Sequence, residues 1–390
     1  MYIIDKTVFL DITIGDNKTP FPIGTGNIEA LHVIENINTV PQMQFVFKDV
    51  QGNLNKTISI SDGTPLNIKI GRYDNQQNLQ YYNFRVFSQH GPVPASGGQI
   101  YSLNCIIDSA KYIRGIVQQS FNGTSSQAIS QIAAAAGLQF SGVPTNDSQA
   151  WLPSRCSYMQ MARKIANHGY VDAQSYMRLG LTKANLVKYY NASALIGQKP
   201  KAALVMGDIN QLPKNILQQV GNLAFVVFDY KPASQSGIRN FATGYGAKQQ
   251  QQTLDGSNVD LTHVNATKLS NSFDINSAVY AAVDFVKSSY VPPDAGNSHP
   301  NYIQAGYQNQ RIKAVFSNEI DVLLMTMSGL EIFDIVYLQL VDKTTRKVFT
   351  AYTGMYFVEA ITGSVMGNRY YEKVRLVNTG KYLDPNGDNK

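Results

Sequence analysis

The groups in this 390-residue chain that could do chemistry are five histidines, two cysteines and one alternating pair of carboxylates. His32, His90, His168, His263 and His299 lie far apart, with no His-x-x-x-His spacing of the kind a metal needs. His168 ends a helical pattern, where an imidazole meets the carbonyl end of the helix, so capping accounts for it. Cys105 and Cys156 are too few for a disulfide framework. Cys105 alternates with Leu103 and Ile107 and reads as a small buried apolar residue, while Cys156 directly precedes a helix as a core or boundary position. Glu319 and Asp321 share one face of a strand, whereas a glycosidase needs two carboxylates facing each other across a cleft. Gly24-Thr-Gly26 and Gly244-Tyr-Gly246 join no strand to a helix, and neither a Gly-Lys-Ser/Thr phosphate loop nor a Gly-x-Ser-x-Gly elbow occurs. Asn122-Gly-Thr124 reads as a polar loop. No catalytic, cofactor-binding or metal-binding residue is assigned, and the reading is that of a non-enzyme without cofactor.

The best-specified segment carries packing instead. From Ser125 to Gly137 and from Ser157 to Gly169 run two short amphipathic helices, separated by the lone Trp151 and followed by a hairpin. Ser125 is expected to cap the first, and Gly137 to take the left-handed conformation past its end. Ile129, Ile132, Ala133 and Ala136 share one face, as do Tyr158, Met161, Ala162 and Ile165 in the second helix.

Composition agrees. Charged residues make up 15% of the chain, below the quarter typical of soluble domains, and polarity comes from Asn, Gln, Ser and Thr beside 23 tyrosines. Such a surface suits large protein–protein contacts, so an oligomer is expected. Net charge is +6, but the basic residues are scattered; Lys343 to Lys347 is the one local cluster and reads as a hairpin tip. Sequence-specific nucleic-acid binding would need Lys and Arg concentrated on one face. The start lacks a basic segment followed by an apolar run, and no apolar stretch is long enough to span a membrane as a helix, so a soluble chain is expected.

The pattern predicts an α+β, mainly β protein: two similar antiparallel β-barrel domains with a helix-containing α+β domain between them and an insertion in the second barrel. Residues 1–112 are the first β-barrel domain, with Val8, Leu10, Ile12 and Ile14, and then Leu66, Ile68 and Ile70, in alternation, and a hairpin whose turn is His90 to Gly98. Residues 113–210 are the α+β domain, ending in a hairpin of Tyr176 to Leu181 and Leu186 to Tyr190. Residues 211–240 and 311–382 form the second barrel, 241–310 an insertion with one helix capped by Asn276 and faced by Val279, Ala282, Val283 and Val286, and 383–390 a tail. Tyr81, Tyr82, Tyr101, Tyr356, Tyr370 and Tyr371 either line an assembly interface or form cross-strand pairs on a half-buried sheet.

A faint internal repeat shows. Ser61 to Ile70 resembles Met327 to Leu340, and Phe84 to Ile107 resembles Tyr356 to Val377, each as turn glycine, strand and return strand. With Ser125 to Phe140, Ala150-Trp151, Tyr158 to Gly169 and Ser328 to Asn378 in this order, the chain resembles the central baseplate hub protein of contractile-tailed bacteriophages, the T-even-type hub, and the hub part of injection-system spike proteins. The resemblance covers nearly the full length and rests on patterns more than signatures. It implies a homotrimer whose six barrels match a threefold spike protein to a sixfold tail tube protein, beside tape-measure and baseplate wedge proteins. DNA would pass through the lumen without specific contact. The place implied is the virion tail baseplate, assembled in the host cytoplasm without membrane insertion. No fused spike follows Lys390, so a separate spike is expected. A tail-associated hub of a long flexible tail and a carbohydrate-binding or degrading β protein are the other readings.

Overall fold

The computed structural model describes residues 2–378 except 5–7, 17–19, 51, 73–78, 173–174, 196, 222, 236–247, 253–258, 263–285, 291–317, 343, 346 and 367–368. The architecture is the expected α+β, mainly β one.

Period-2 alternation builds the first β unit: β1 (Tyr2–Ile4), β2 (Val8–Ile14), β3 (Phe21–Ile23), β4 (Ile28–Asn36), β5 (Gln42–Asp49), the helical turn α1 (Leu54–Thr57), β6 (Pro65–Arg72), β7 (Gln80–Ala95) and β8 (Gly98–Ile107). Leu10, Ile12 and Ile14 meet Met43, Phe45 and Phe47 and Leu66, Ile68 and Ile70 in one core. The strands run antiparallel in the order β2-β6-β7-β8-β5-β4. The β7–β8 hairpin reaches further than expected. Its turn is only Ser96-Gly97, because a register shift between His90 and Val93 absorbs Gly91-Pro92 inside the strand.

The helical section holds α2 (Ala110–Arg114), β9 (Phe121–Gly123), α3 (Ser125–Ala135), β10 (Gln139–Gly142), β11 (Gln149–Trp151), α4 (Tyr158–Asn167), β12 (Met177–Leu181), β13 (Leu186–Asn191) and α5 (Ala192–Leu195). Thr124, not Ser125, caps α3: its hydroxyl accepts from Gln127 N while the Gln127 side chain accepts from Thr124 N. Only a cap at Thr124 puts a glutamine three residues on, and that reciprocal pair outbids Ser125. Ser125, displaced into the helix, is buried and bonds Thr145 and Tyr189. Ser157 and Gln160 form the same box on α4. Gly137 takes φ 78°, as expected. The buried faces are Ala128, Ile129, Ile132 and Ala133, and Met161, Ala162, Ile165 and Ala166; Ala136 and Tyr158 sit at the margins.

The second β unit comprises β14 (Ala202–Val205), then, after α6 (Lys214–Val220), β15 (Ala224–Gln235), β19 (Asn318–Leu324), β20 (Ile335–Gln339), β21 (Gly354–Met366) and β22 (Arg369–Asn378). Between β15 and β19 lie β16 (Lys248–Gln252), β17 (Val259–Thr262) and β18 (Val286–Tyr290), a small sheet of their own. Sheet pairing extends this unit back to Ala202, inside the section 113–210. Ala202, Ala203, Leu204 and Val205 are all buried and parallel to both neighbours, so they show no alternation. The helix expected after Asn276, with Val279, Ala282 and Val283, lies outside the described residues, as does the tail 383–390; Val286, expected on its face, instead opens a strand that pairs with the glutamine run of β16.

The ladder β14-β20-β21-β22-β19-β15 returns to β14 and closes a six-stranded barrel. This is the strand order of the first unit with β2, β4, β5, β6, β7 and β8 standing for β14, β15, β19, β20, β21 and β22. The irregularities coincide too. The β7–β8 pairing shifts between Val86 and Ser88, and β21–β22 between Val358 and Ala360. Likewise β4–β5 shifts between Ile28 and Ala30, and β15–β19 between Val227 and Asp229. Met43, Phe45 and Phe47 thereby correspond to Ile320, Val322 and Leu324, all buried. The units differ at the seam. Ala224–Val226 pairs with β14, but the corresponding Thr25–Asn27 forms a 3-10 turn, and β3 pairs β2 instead. Among the described residues only the second unit is thus closed by ladder; β2 is antiparallel to β6 where β14 is parallel to β20.

Candidate assembly surface

Among the described residues, none of the chemically suggestive groups meets a reacting partner. His32 on β4 lies 2.9 Å from Ser364 Oγ, His90 is exposed on β7, and His168 at the end of α4 places Nδ1 2.8 Å from the Lys164 carbonyl oxygen. His263, His299 and Gly244–Gly246 lie outside the described residues; Gly24–Gly26 lead into the 3-10 turn. Cys105 is fully buried, which pushes its thiol up to about 12, and Cys156 is half-buried at the start of α4. Asp321 is tied up by Arg375 at 2.9 Å and Lys373 at 2.6 Å. Burial opposes ionisation there, but those hydrogen bonds outweigh it and hold the carboxyl below its usual range.

Of the six tyrosines, Tyr82, Tyr101, Tyr356 and Tyr370 are buried and only Tyr81 is widely exposed, at 63%. Tyr101 stacks on Phe47 across the strands at 5.2 Å, and Lys69 sits over the Tyr81 ring at 5.4 Å. Tyr101 and Tyr81 thus make cross-strand contacts.

What joins the modules is a buried polar cluster that sequence reasoning missed. Glu35 on β4 is fully buried, and its carboxylate accepts from Lys183 N of the β12–β13 turn and Ile332 N of the second unit, both at 3.5 Å. Lys183 Nζ lies 3.8 Å from Glu35 and 5.4 Å from the Tyr82 ring centroid. Lys188 of β13 reaches Glu331 at 2.5 Å and the Ile332 carbonyl at 3.1 Å. Glu372, also buried, accepts from the amide and hydroxyl of Ser328 and from Tyr370. Burial raises both Glu35 and Glu372 above the ordinary carboxylate range despite Lys183. Burial draws Lys183 down, but Tyr82, Glu35, Glu372 and Glu331 outweigh it, so the ammonium stays charged. At the opposite margin Asn38, between β4 and β5, accepts from Arg178 at 2.5 Å and Arg163 at 2.9 Å. The hairpin packs closely, for a Cβ at Gly180 would stand 2.8 Å from Ile332 and Phe333. First unit, helical section and second unit are thereby fastened at one place.

Strand pairing fastens them at another. Residues Ala30–Asn36 of β4 pair antiparallel with Ala360–Met366 of β21, fusing both units into a 14-stranded sheet. A cleft of about 510 Å³ opens beside β7, lined in part by Arg85, Phe87, Ile113 and Arg114. Asp62 lines it as well, and Arg85 is paired with Asp108 at 2.6 Å.

Two solved structures share this architecture from end to end. A tail protein from Neisseria meningitidis MC58 matches with a TM-score of 0.57 at 10% identity, covering 97% of this chain and 99% of that one. The 43 kDa tail protein of prophage MuSo2 from Shewanella oneidensis gives 0.56 at 11%, covering 96% and 100%. At such identities what is shared is the fold. No protein-family model matches the chain, and no curated protein does.

Proposed function

We propose that this chain is the structural hub of a phage tail baseplate, a homotrimer of six β units joining a threefold spike to a sixfold tail tube. The observation that carries the reading is the pair of units in one polypeptide with the same strand order and the same two bulges. Three copies of a two-unit chain present six similar faces in a ring, which solves the symmetry mismatch. The end-to-end likeness to two proteins described as tail proteins supports placing it in a tail, and the scattered charge suits a lumen that DNA traverses. In this reading the tape-measure and wedge proteins are neighbours, the virion tail is the location, and no residue performs catalysis. Light scattering on the purified chain tests it. A mass three times that of the monomer is expected at micromolar concentration; a strict monomer, unchanged by added spike protein, would overturn it.

A further inference from the structure

The two units carry the same turn ahead of equivalent strands, and it meets different surroundings in each. Before β6, Gly63 N donates to Val86 O at 2.7 Å, Val86 N to Thr64 O at 3.0 Å and Thr64 N to Ser61 O at 3.0 Å. Before β20, Phe333 N donates to Val358 O at 3.0 Å, Val358 N to Asp334 O at 2.9 Å and Asp334 N to Glu331 O at 3.1 Å. Gly63 and Phe333 are therefore twins, and both take the left-handed conformation, with φ 85° and 76°. Glycine adopts it freely, whereas a phenylalanine is strained there, so packing of the Phe333 ring has to offset the strain.

The ring packs on the helical section. It stands 5.5 Å from the Tyr190 ring, centroid to centroid, in a cluster where Phe333, Ile332, Phe357 and Val377 of the second unit bury Tyr176, Ala192 and Leu195. In the first unit the twins of those four residues are Gly63, Asp62, Arg85 and Ile106, since Pro65–Arg85 and Arg85–Ile106 correspond to Ile335–Phe357 and Phe357–Val377. All four line the cleft of about 510 Å³ beside β7. The cleft is thus the first unit's version of the surface on which the second unit holds the β12–β13 hairpin and α5. Gly63 leaves the space that the Phe333 ring fills in the second unit, and α2 walls the other side with Ala110, Ile113 and Arg114.

We infer that this cleft docks a segment of a different protein, one presenting a bulky apolar side chain followed by a carboxylate. The apolar group enters beside Gly63, against Ile106, Ile113 and Phe87, the last 47% exposed. The carboxylate meets Arg114, which is exposed and has no ion pair among the described residues, whereas Arg85 is held by Asp108 at 2.6 Å. Asp62 on the turn repels an unbroken run of negative charge, so a nucleic acid does not fit. A second copy of this chain is not the occupant, because the element shaped for such a surface, the β12–β13 hairpin with α5, is already packed on the second unit of its own chain. The inference goes beyond the hub reading and does not need three copies.

A random peptide library displayed on phage and panned against the full chain tests it. Two variants report the site: Ala110→Trp fills the cleft from an exposed position of α2, and Arg114→Glu reverses the charge beside it. Enriched peptides should carry an aromatic or branched aliphatic residue with Asp or Glu just after it. Fluorescence polarisation of the labelled peptides should show roughly tenfold weaker binding to each variant. Exchanging the acidic residue of the peptide for Lys should restore binding to Arg114→Glu, which a misfolded variant would not do. Peptides that bind the wild type and both variants alike, or a library that yields no enrichment, overturn the proposal. Light scattering on Ala110→Trp should give the wild-type mass; a lower mass makes the cleft a contact between copies and overturns a different protein as occupant. A wild-type monomer overturns the hub reading alone, and the peptide result still decides the cleft.

Discussion

Lys183→Met removes a cation that the two buried carboxylates Glu35 and Glu372 share, at nearly constant volume. Both carboxyls lie above their ordinary value of 4.5 with the lysine present, and both rise further without it. The folded state then binds more protons than the unfolded one between pH 4.5 and the raised values, so stability is intact below that window and is lost as pH climbs through it. Holding one glutamate neutral at pH 7 costs at most about 3.4 kcal/mol, from the 2.5 units between 4.5 and 7, and about 0.7 kcal/mol at pH 5. Breaking a buried pair typically costs ~3–5 kcal/mol, in the same range. Unfolding entropy for a chain of this length is on the order of 0.8 kcal/mol/K, so a single transition would fall by at most about 4 °C at pH 7 and at most about 1 °C at pH 5. Scanning calorimetry at both pH values reads this directly. Adding Glu35→Gln to the variant should restore part of the loss at pH 7. A loss below ~1 kcal/mol at pH 7, or an equal loss at both pH values, would refute the idea that Lys183 holds the junction by compensating buried charge.

Thr124→Ala and Ser157→Ala each remove a helix cap and should cost ~1 kcal/mol, read in denaturant by the fluorescence of Trp151, whose indole donates to Gly123 in the same section at 2.9 Å. Gly169→Ala drives a methyl into the Tyr189 hydroxyl, which itself bonds Ser125, and should cost ~1–3 kcal/mol by the same fluorescence assay. A thiol reagent on the native protein should modify Cys156 and spare Cys105 until unfolding, which intact mass spectrometry would show. Asp321 contributes stability that is present above its ordinary 3.8 and lost as pH falls through its lowered value; Asp321→Asn should flatten that acid limb in urea titrations below about pH 4.

Much of the fold was legible because it is local. Alternation marked β2, β6, β8 and the β12–β13 hairpin, and the spacing of Ile129, Ile132, Met161 and Ile165 marked both helices. The segments Ser61 to Ile70 and Met327 to Leu340 became β6 and β20, and Phe84 to Ile107 with Tyr356 to Val377 became β7–β8 and β21–β22, which are equivalent pairs in the two units. The Thr124 cap was readable as well, since Gln127 stands three residues after it and Ala128 three after Ser125. The four-residue β14 escaped because a strand buried on both faces carries no period.

Chain order alone determined the alternating strands, the two longer helices and that two stretches look alike, because hydrogen-bond period and capping act over a few residues. Tertiary structure decided how the units close and meet. Glu35 and Lys183 are separated by 148 positions, and β4 and β21 by more than 300, so neither contact leaves a local trace. The burial that raises Glu35, and the pairing of β4 with β21, exist only once the sheet has folded and its neighbours have taken their places.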